Sequence, residues 1–157
     1  MAVEIGSAAP DFRKRATTGE AVTLSSYQGT SPVALVFYPF TFTSVCEGEL
    51  CRLRDDYSQF EQAGVQVLAM SCDPGPSQAQ WAKEQGYQFP ILSDFWPHGE
   101  VARAYGAFDE LHGCPVRSSY LLDAEGVVRW SLHHPSGQGR DPGEYVAAVA
   151  ALGAGGT

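Results

Sequence analysis

Positive charge is scarce in this chain. Lysine and arginine together number 10 against 18 aspartates and glutamates, for a formal net charge of −8. Phosphate binding needs a basic footprint, so the composition argues against a nucleic-acid partner, and an anionic membrane surface is an equally poor match. Long apolar runs are also missing: Val33 to Tyr38 is among the longest, far short of the roughly 20 residues that cross a bilayer. The opening Met1-Ala-Val-Glu-Ile-Gly has no basic stretch leading into an apolar one, so no targeting segment is expected and a soluble cytoplasmic protein is the default. Cysteine is sparse as well, at Cys46, Cys51, Cys72 and Cys114. In a cytosolic domain of this size, reactive, metal-bound or buried thiols are better readings than disulfide staples. There is no internal repeat, low-complexity tract or interdomain linker.

What is present is one globular domain spanning residues 1–157, 44% hydrophobic and 18% charged, long enough to bury a core without staples. Residues 11–24 read as two short extended pieces around Thr18-Gly19-Glu20, an N-terminal β-hairpin. Residues 32–38 form a near-continuous apolar run, as in a strand buried on both faces. After a loop at 39–43, Leu50, Leu53, Tyr57 and Phe60 recur at helical spacing, predicting a helix over 44–63 that Gly64 stops. A strand is expected over 65–70, a loop at 73–76 and a helix over 77–85 ended by Gly86. Residues 89–92 suit an edge segment, because Pro90 removes a ladder donor. A short helix over 99–105 follows, then a hairpin of 116–122 and 127–132 turning at Gly126. A helix over 142–152 closes the chain, and 153–157 is expected to fray. A βαβ unit followed by ββα is an α/β plan of the thioredoxin-like kind, a central mixed sheet flanked by helices.

The chemistry concentrates in Tyr38-Pro-Phe-Thr-Phe-Thr-Ser-Val-Cys46-Glu-Gly-Glu49. This stretch sets Cys46 just past a buried strand and a loop, in the first turn of a helix. Unpaired N–H groups and the positive end of the helix dipole there favour a thiolate, the reactive form of the side chain. The hydroxyl of Thr43 is within reach of the sulfur or of an oxygen bound to it, and Pro39 keeps the loop entry extended and shields the sulfur from water. Each residue also has a plainer role available: buried filler for Cys46, helix cap for Thr43, strand punctuation for Pro39, dipole partner for Glu49.

Pro39-x-x-x-Thr43-x-x-Cys46-x-x-Glu49 resembles the active-site pattern of the peroxiredoxins, and the likeness covers nearly the whole chain. Gly6-Ser-Ala-Ala-Pro-Asp-Phe12 resembles the family's opening, and Trp81-Ala with Phe89-Pro-Ile-Leu-Ser-Asp94 its middle. Arg117 and the apolar strand leading to Asp123-Ala-Glu-Gly126 resemble the segment that bears the family's arginine. Ser93-Asp-Phe-Trp-Pro-His-Gly99 looks like the alkyl hydroperoxide reductase E class. The resemblance implies that Cys46 attacks the peroxide, that Thr43 and Arg117 bind its oxygens, that Pro39 shields the sulfur and that Glu49 orients the arginine. It also implies that no metal or organic cofactor is needed, that a thiol donor (thioredoxin, a glutaredoxin-like protein or a small thiol) completes the cycle, and that the chain forms a homodimer. Among the eight arginines, Arg117 is singled out by this resemblance alone.

One spacing departs from the E class, which works with a single essential cysteine. Cys51 follows Cys46 by five residues, as in the bacterioferritin-comigratory or Q class, where the second cysteine resolves the first. Five residues of helix rise about 7.5 Å and turn about 140°, whereas a disulfide wants its Cα atoms roughly 4.4–6.8 Å apart. The bridge therefore requires the first turns to unwind, which Gly48 makes easier. Cys51 shares its helix face with Arg54, Asp55 and Ser58 and is expected to be partly exposed; a tolerated surface cysteine fits it too. Cys114, three residues before Arg117 in a loop, is the competing resolver, and Cys72 is expected to be buried and inert. His98, His112, His133 and His134 show no catalytic spacing and are read as surface or loop residues. A disulfide oxidoreductase would want cysteine where Glu49 stands, and the cysteine spacings fit no usual zinc set. A redox-sensing or holdase protein using Cys46 to change its oligomeric state is the non-enzyme alternative.

Overall fold

The computed structural model of the chain describes residues 3–134 and 147–148. Two short strands, β1 (Arg13–Arg15) and β2 (Ala21–Thr23), pair antiparallel with Arg13 opposite Thr23. Gly19 turns between them at φ 93°, a conformation that costs other residues strain. The central strand β3 (Val33–Phe37) is followed by α1 (Ser44–Asp55), α2 (Tyr57–Gln62) and β4 (Gln66–Ser71), which lies parallel to β3. Helix α3 (Gly75–Gln85) leads to β5 (Ile91–Ser93), parallel to β4 and at the sheet edge. Then come α4 (Glu100–Ala104), β6 (Phe108–Asp109), β7 (Cys114–Pro115), β8 (Arg117–Leu122) and β9 (Val128–His134). The main sheet runs β5-β4-β3-β8-β9, with β8 antiparallel to both β3 and β9. This is a mixed sheet of the thioredoxin-like fold.

Alternation along the strands sorts the core into two faces. Ala34 and Val36 of β3 pack with Leu50, Leu53, Phe60 and Trp81 from α1, α2 and α3. Val33, Leu35 and Phe37 pack on the other side with Leu24, Val101, Tyr105 and Tyr120. Burying each such side chain contributes about 1.5–3 kcal/mol, so α1 is pinned to the sheet by its Cys46-Leu50-Leu53 stripe.

Three expectations need adjustment. The helix expected over 44–63 is two helices, broken at Asp56, which sits at φ −95° and ψ 6°. Asp55 and Asp56 are consecutive poor helix formers, and the break lets Phe60 keep its place in the core. Helix α3 begins at Gly75 rather than Ser77, because a proline in the first turn gives up an N–H that would be unpaired anyway. Cys114 lies in β7, paired with Asp109 of β6, a two-residue ladder too short to leave an alternation signal. The helix expected over 142–152 and the tail at 153–157 lie outside the described residues, apart from helical Ala147 and Ala148.

Candidate active site

The site forms where β3 ends. Tyr38 continues the ladder, its N–H donating to Met70 O at 3.1 Å. Buried Pro39 then opens a loop in which Phe42 adopts φ 68°. Helix α1 starts at Ser44, so Cys46 is its third residue, in the turn whose N–H groups have no intrahelical acceptor. Cys46 is 1% exposed.

Arg117 comes to it from the neighbouring strand. Phe37 pairs with Ser118 across β3 and β8, so Arg117 falls level with the residue that leaves β3. Its Nη1 donates to Cys46 Sγ at 3.5 Å and to a carboxylate oxygen of Glu49, which lies one turn after Cys46 on α1. Arg117 Nε is buried and finds no acceptor among the described residues. A fixed cation held against a sulfur stabilises negative charge on it, and on an oxygen leaving it, without reorganising at the moment of reaction.

The remaining expected residues fall out unevenly. Pro39 is buried beside the site. Thr43 occupies the N-cap position, with its carbonyl accepting from Glu47 N–H at 2.8 Å. Its exposed hydroxyl does not cap the helix; it donates to Phe40 O at 2.7 Å and closes the loop on itself. Cys51 is half-buried on the far side of α1, its sulfur 3.5 Å from Gln85 Oε1 and 3.6 Å from Tyr87 OH. All four cysteines are free thiols. Burial pushes the Cys72 thiol up to about 12, with the Asp94 and Asp73 carboxylates adding to it. Burial likewise raises Cys114 to about 11, helped by Asp109 and by electrostatic coupling to Cys46.

Three of the histidines have structural partners. His98 sits edge-on to Phe95 and Phe108 and meets Gly113 O, His112 pairs with Asp109, and His133 packs on Tyr120. Sequence reasoning missed a hydrogen-bonded chain behind the loop, made of Tyr38, Thr41, Ser71, Asp73 and Gln78. These residues are scattered over two strand ends, a loop and a helix, and no spacing signals them.

A thioredoxin-like fold that sets a cysteine at a helix mouth against a glutamate-held arginine defines a class, the cysteine-based peroxidases. The chain belongs to the AhpC/TSA family, the peroxiredoxins, whose model matches residues 5–131. It is 42% identical over 150 residues to alkyl hydroperoxide reductase E of Mycobacterium tuberculosis, covering 96% of this chain and 98% of that one. It is 34% identical over 151 residues to the chloroplastic peroxiredoxin Q of Oryza sativa subsp. japonica, covering 96% of this chain and 68% of that one. Among solved structures, AhpC of Enterococcus faecalis superposes with a TM-score of 0.89 at 26% identity, covering 100% of this chain and 98% of that one.

Proposed function

We propose that this chain reduces hydrogen peroxide, organic hydroperoxides or peroxynitrite at Cys46. The observation that carries the reading is the Arg117 guanidinium, 3.5 Å from Cys46 Sγ and tied down by Glu49. The Cys46 thiolate attacks one peroxide oxygen, an S–O bond forms as the O–O bond breaks, and the departing oxygen leaves with the electron pair and takes up a proton. The sulfur becomes a sulfenic acid. Arg117 is the donor to that oxygen, with Thr43 beside it, Pro39 as shield and Glu49 as its anchor. The unpaired Arg117 Nε supports this, since a buried donor without an acceptor is worth about 1–3 kcal/mol to satisfy.

Cys51 resolves the sulfenate in this reading: its thiol condenses with Cys46-SOH, releasing water and leaving a disulfide for an outside thiol to reduce. Half-burial supports Cys51 over Cys114, which is buried and stays protonated. The intact first turns of α1 must open for the bridge to form. One equivalent of peroxide on the reduced protein, followed by peptide mass mapping, tests this. A Cys46–Cys51 bridge is expected; a lasting Cys46 sulfenate overturns Cys51 as resolver, and an unoxidised Cys46 overturns the peroxidase reading.

The electron donor is thioredoxin, a glutaredoxin-like protein or a small thiol. A reducing cytoplasmic setting is part of the reading and suits four unpaired thiols. So is a homodimer, supported by the exposed rings of Phe40 and Phe42 in the active-site loop and of Phe95 and Trp96 after β5.

A further inference from the structure

We infer that Asp73 is a positioning residue for peroxide reduction, holding the loop from Pro39 to Thr43 in its reactive shape; this rests on the peroxidase reading of Cys46. The loop needs holding. Phe42 sits at φ 68°, a left-handed conformation that costs a bulky residue about 1–3 kcal/mol. The ring of Phe42 is half out in solvent and lies 6.2 Å from Trp81, so packing alone is a weak restraint.

The restraint comes from the strand end next door. Thr41 N–H, one residue before Phe42, donates to Asp73 Oδ2 at 2.8 Å. The same oxygen accepts from Ser71 Oγ at 2.7 Å, and Ser71 Oγ accepts in turn from Gln78 Nε2 at 2.8 Å. Ser71 and Gln78 are fully buried. Gln78 is further fixed by Leu92 O at 3.0 Å, and Ser93 Oγ donates to Asp73 O at 2.7 Å. Gln78 and then Ser71 donate in relay toward the Asp73 carboxylate, and Thr41 closes on it from the loop. The Thr41 hydroxyl is also tied, at 2.9 Å, to the hydroxyl of fully buried Tyr38.

Electrostatics gives no other reason for this carboxylate. Its negative charge raises the Cys72 and Cys114 thiols and works against a second anion nearby. Its position makes sense as the acceptor that fixes the Thr41 amide. Through that amide it sets the turn at Phe42, and through the turn the placement of Thr43 and of the α1 N-terminus that carries Cys46.

The test compares two reactions of the same sulfur in the full chain. Hydrogen peroxide needs the loop and arginine in register; iodoacetamide, read as Cys46 alkylation by peptide mass, needs only the thiolate and access. D73A is expected to lower the Cys46–peroxide rate constant by about 10–100-fold, the scale of a small misplacement of reacting groups, while alkylation at the same pH stays at the parent rate. D73N, which keeps an acceptor for the Thr41 N–H, recovers most of the loss. A D73A peroxide rate equal to the parent's, a parallel fall in both reactions, or a D73N as slow as D73A overturns the proposal. S71A leaves Asp73 in place without its orienting hydroxyl and serves if D73A does not fold. It should lower the peroxide-to-alkylation ratio by a smaller factor, and an unchanged ratio overturns the proposal. The parent's own reaction with peroxide is the separate check on the peroxidase reading.

Discussion

Glu49 and Arg117 form an ion pair sealed from solvent, with side chains 6% and 3% exposed, one helical turn from Cys46. The pair fixes the guanidinium that touches the sulfur, so the same contact serves both the fold and the chemistry.

Replacing Arg117 by alanine should therefore do two things. The reaction of Cys46 with peroxide should slow by about 10²–10³-fold, as when one preorganised donor is removed. Stability should also fall, because a buried ion pair between Arg117 and Glu49 is broken from one side. A simple loss of rate with the fold untouched, the expectation for an exposed arginine, does not apply to a residue this buried. R117K keeps a charge but loses the rigid fork, and should regain more stability than rate. Stopped-flow kinetics and denaturant titration check both; an Arg117→Ala protein reacting at the parent rate contradicts the assignment.

Cys72 and Cys114 should be silent at neutral pH. Burial raises their thiols to about 12 and about 11, so each stays protonated in the folded protein and neither is a nucleophile. The unfolded chain loses those protons near the ordinary thiol value of 9.0. Their contribution to stability is thus full below about 9 and is lost as the pH rises through the folded values. Native alkylation mapping should find both sites unmodified at neutral pH, and the denaturation midpoint should fall above about 9 less steeply in C72A and C114A than in the parent.

Gln85 latches the face of α1 that carries Cys51. It donates to Glu47, meets the Cys51 sulfur through Oε1, and accepts from Arg54 Nη1 through its backbone carbonyl at 2.6 Å. Removing the side chain in Q85A should make the start of α1 easier to unwind. The Cys46–Cys51 disulfide should then form faster after a peroxide pulse, and less Cys46 should pass on to sulfinic acid in excess peroxide. Quenched-flow mass spectrometry reads both, and an unchanged disulfide rate would count against the latch.

Much of this was legible in the chain itself, for identifiable reasons. The apolar run at Val33 reads as a buried strand and is one, and Gly64, Gly86 and Gly126 mark turns that do take positive φ, at 72°, 70° and 81°. Cys46 at the mouth of α1 followed from a strand, a loop and a helical stripe in succession. The meeting of Arg117 with Cys46 did not, because it depends on β8 lying beside β3 in one register, a contact across 71 residues of sequence. The Asp73 network was hidden for the same reason, its partners being separated by up to 32 residues and joined through a backbone amide that no side-chain pattern reports. Thr43 shows the limit of a motif: it stands at the N-cap of α1, while its hydroxyl turns to the Phe40 carbonyl.

The most direct measurement sets all four thiols against one another. The fully reduced protein is mixed with less than one equivalent of hydrogen peroxide in the presence of a sulfenic-acid trap, and the trapped sites are quantified over time. Cys46 should take the oxidation alone, orders of magnitude faster than a free thiol, and C46S should leave the peroxide unconsumed. Trapping spread over Cys51, Cys72 and Cys114, or a Cys46 no faster than a small thiol in solution, would contradict it.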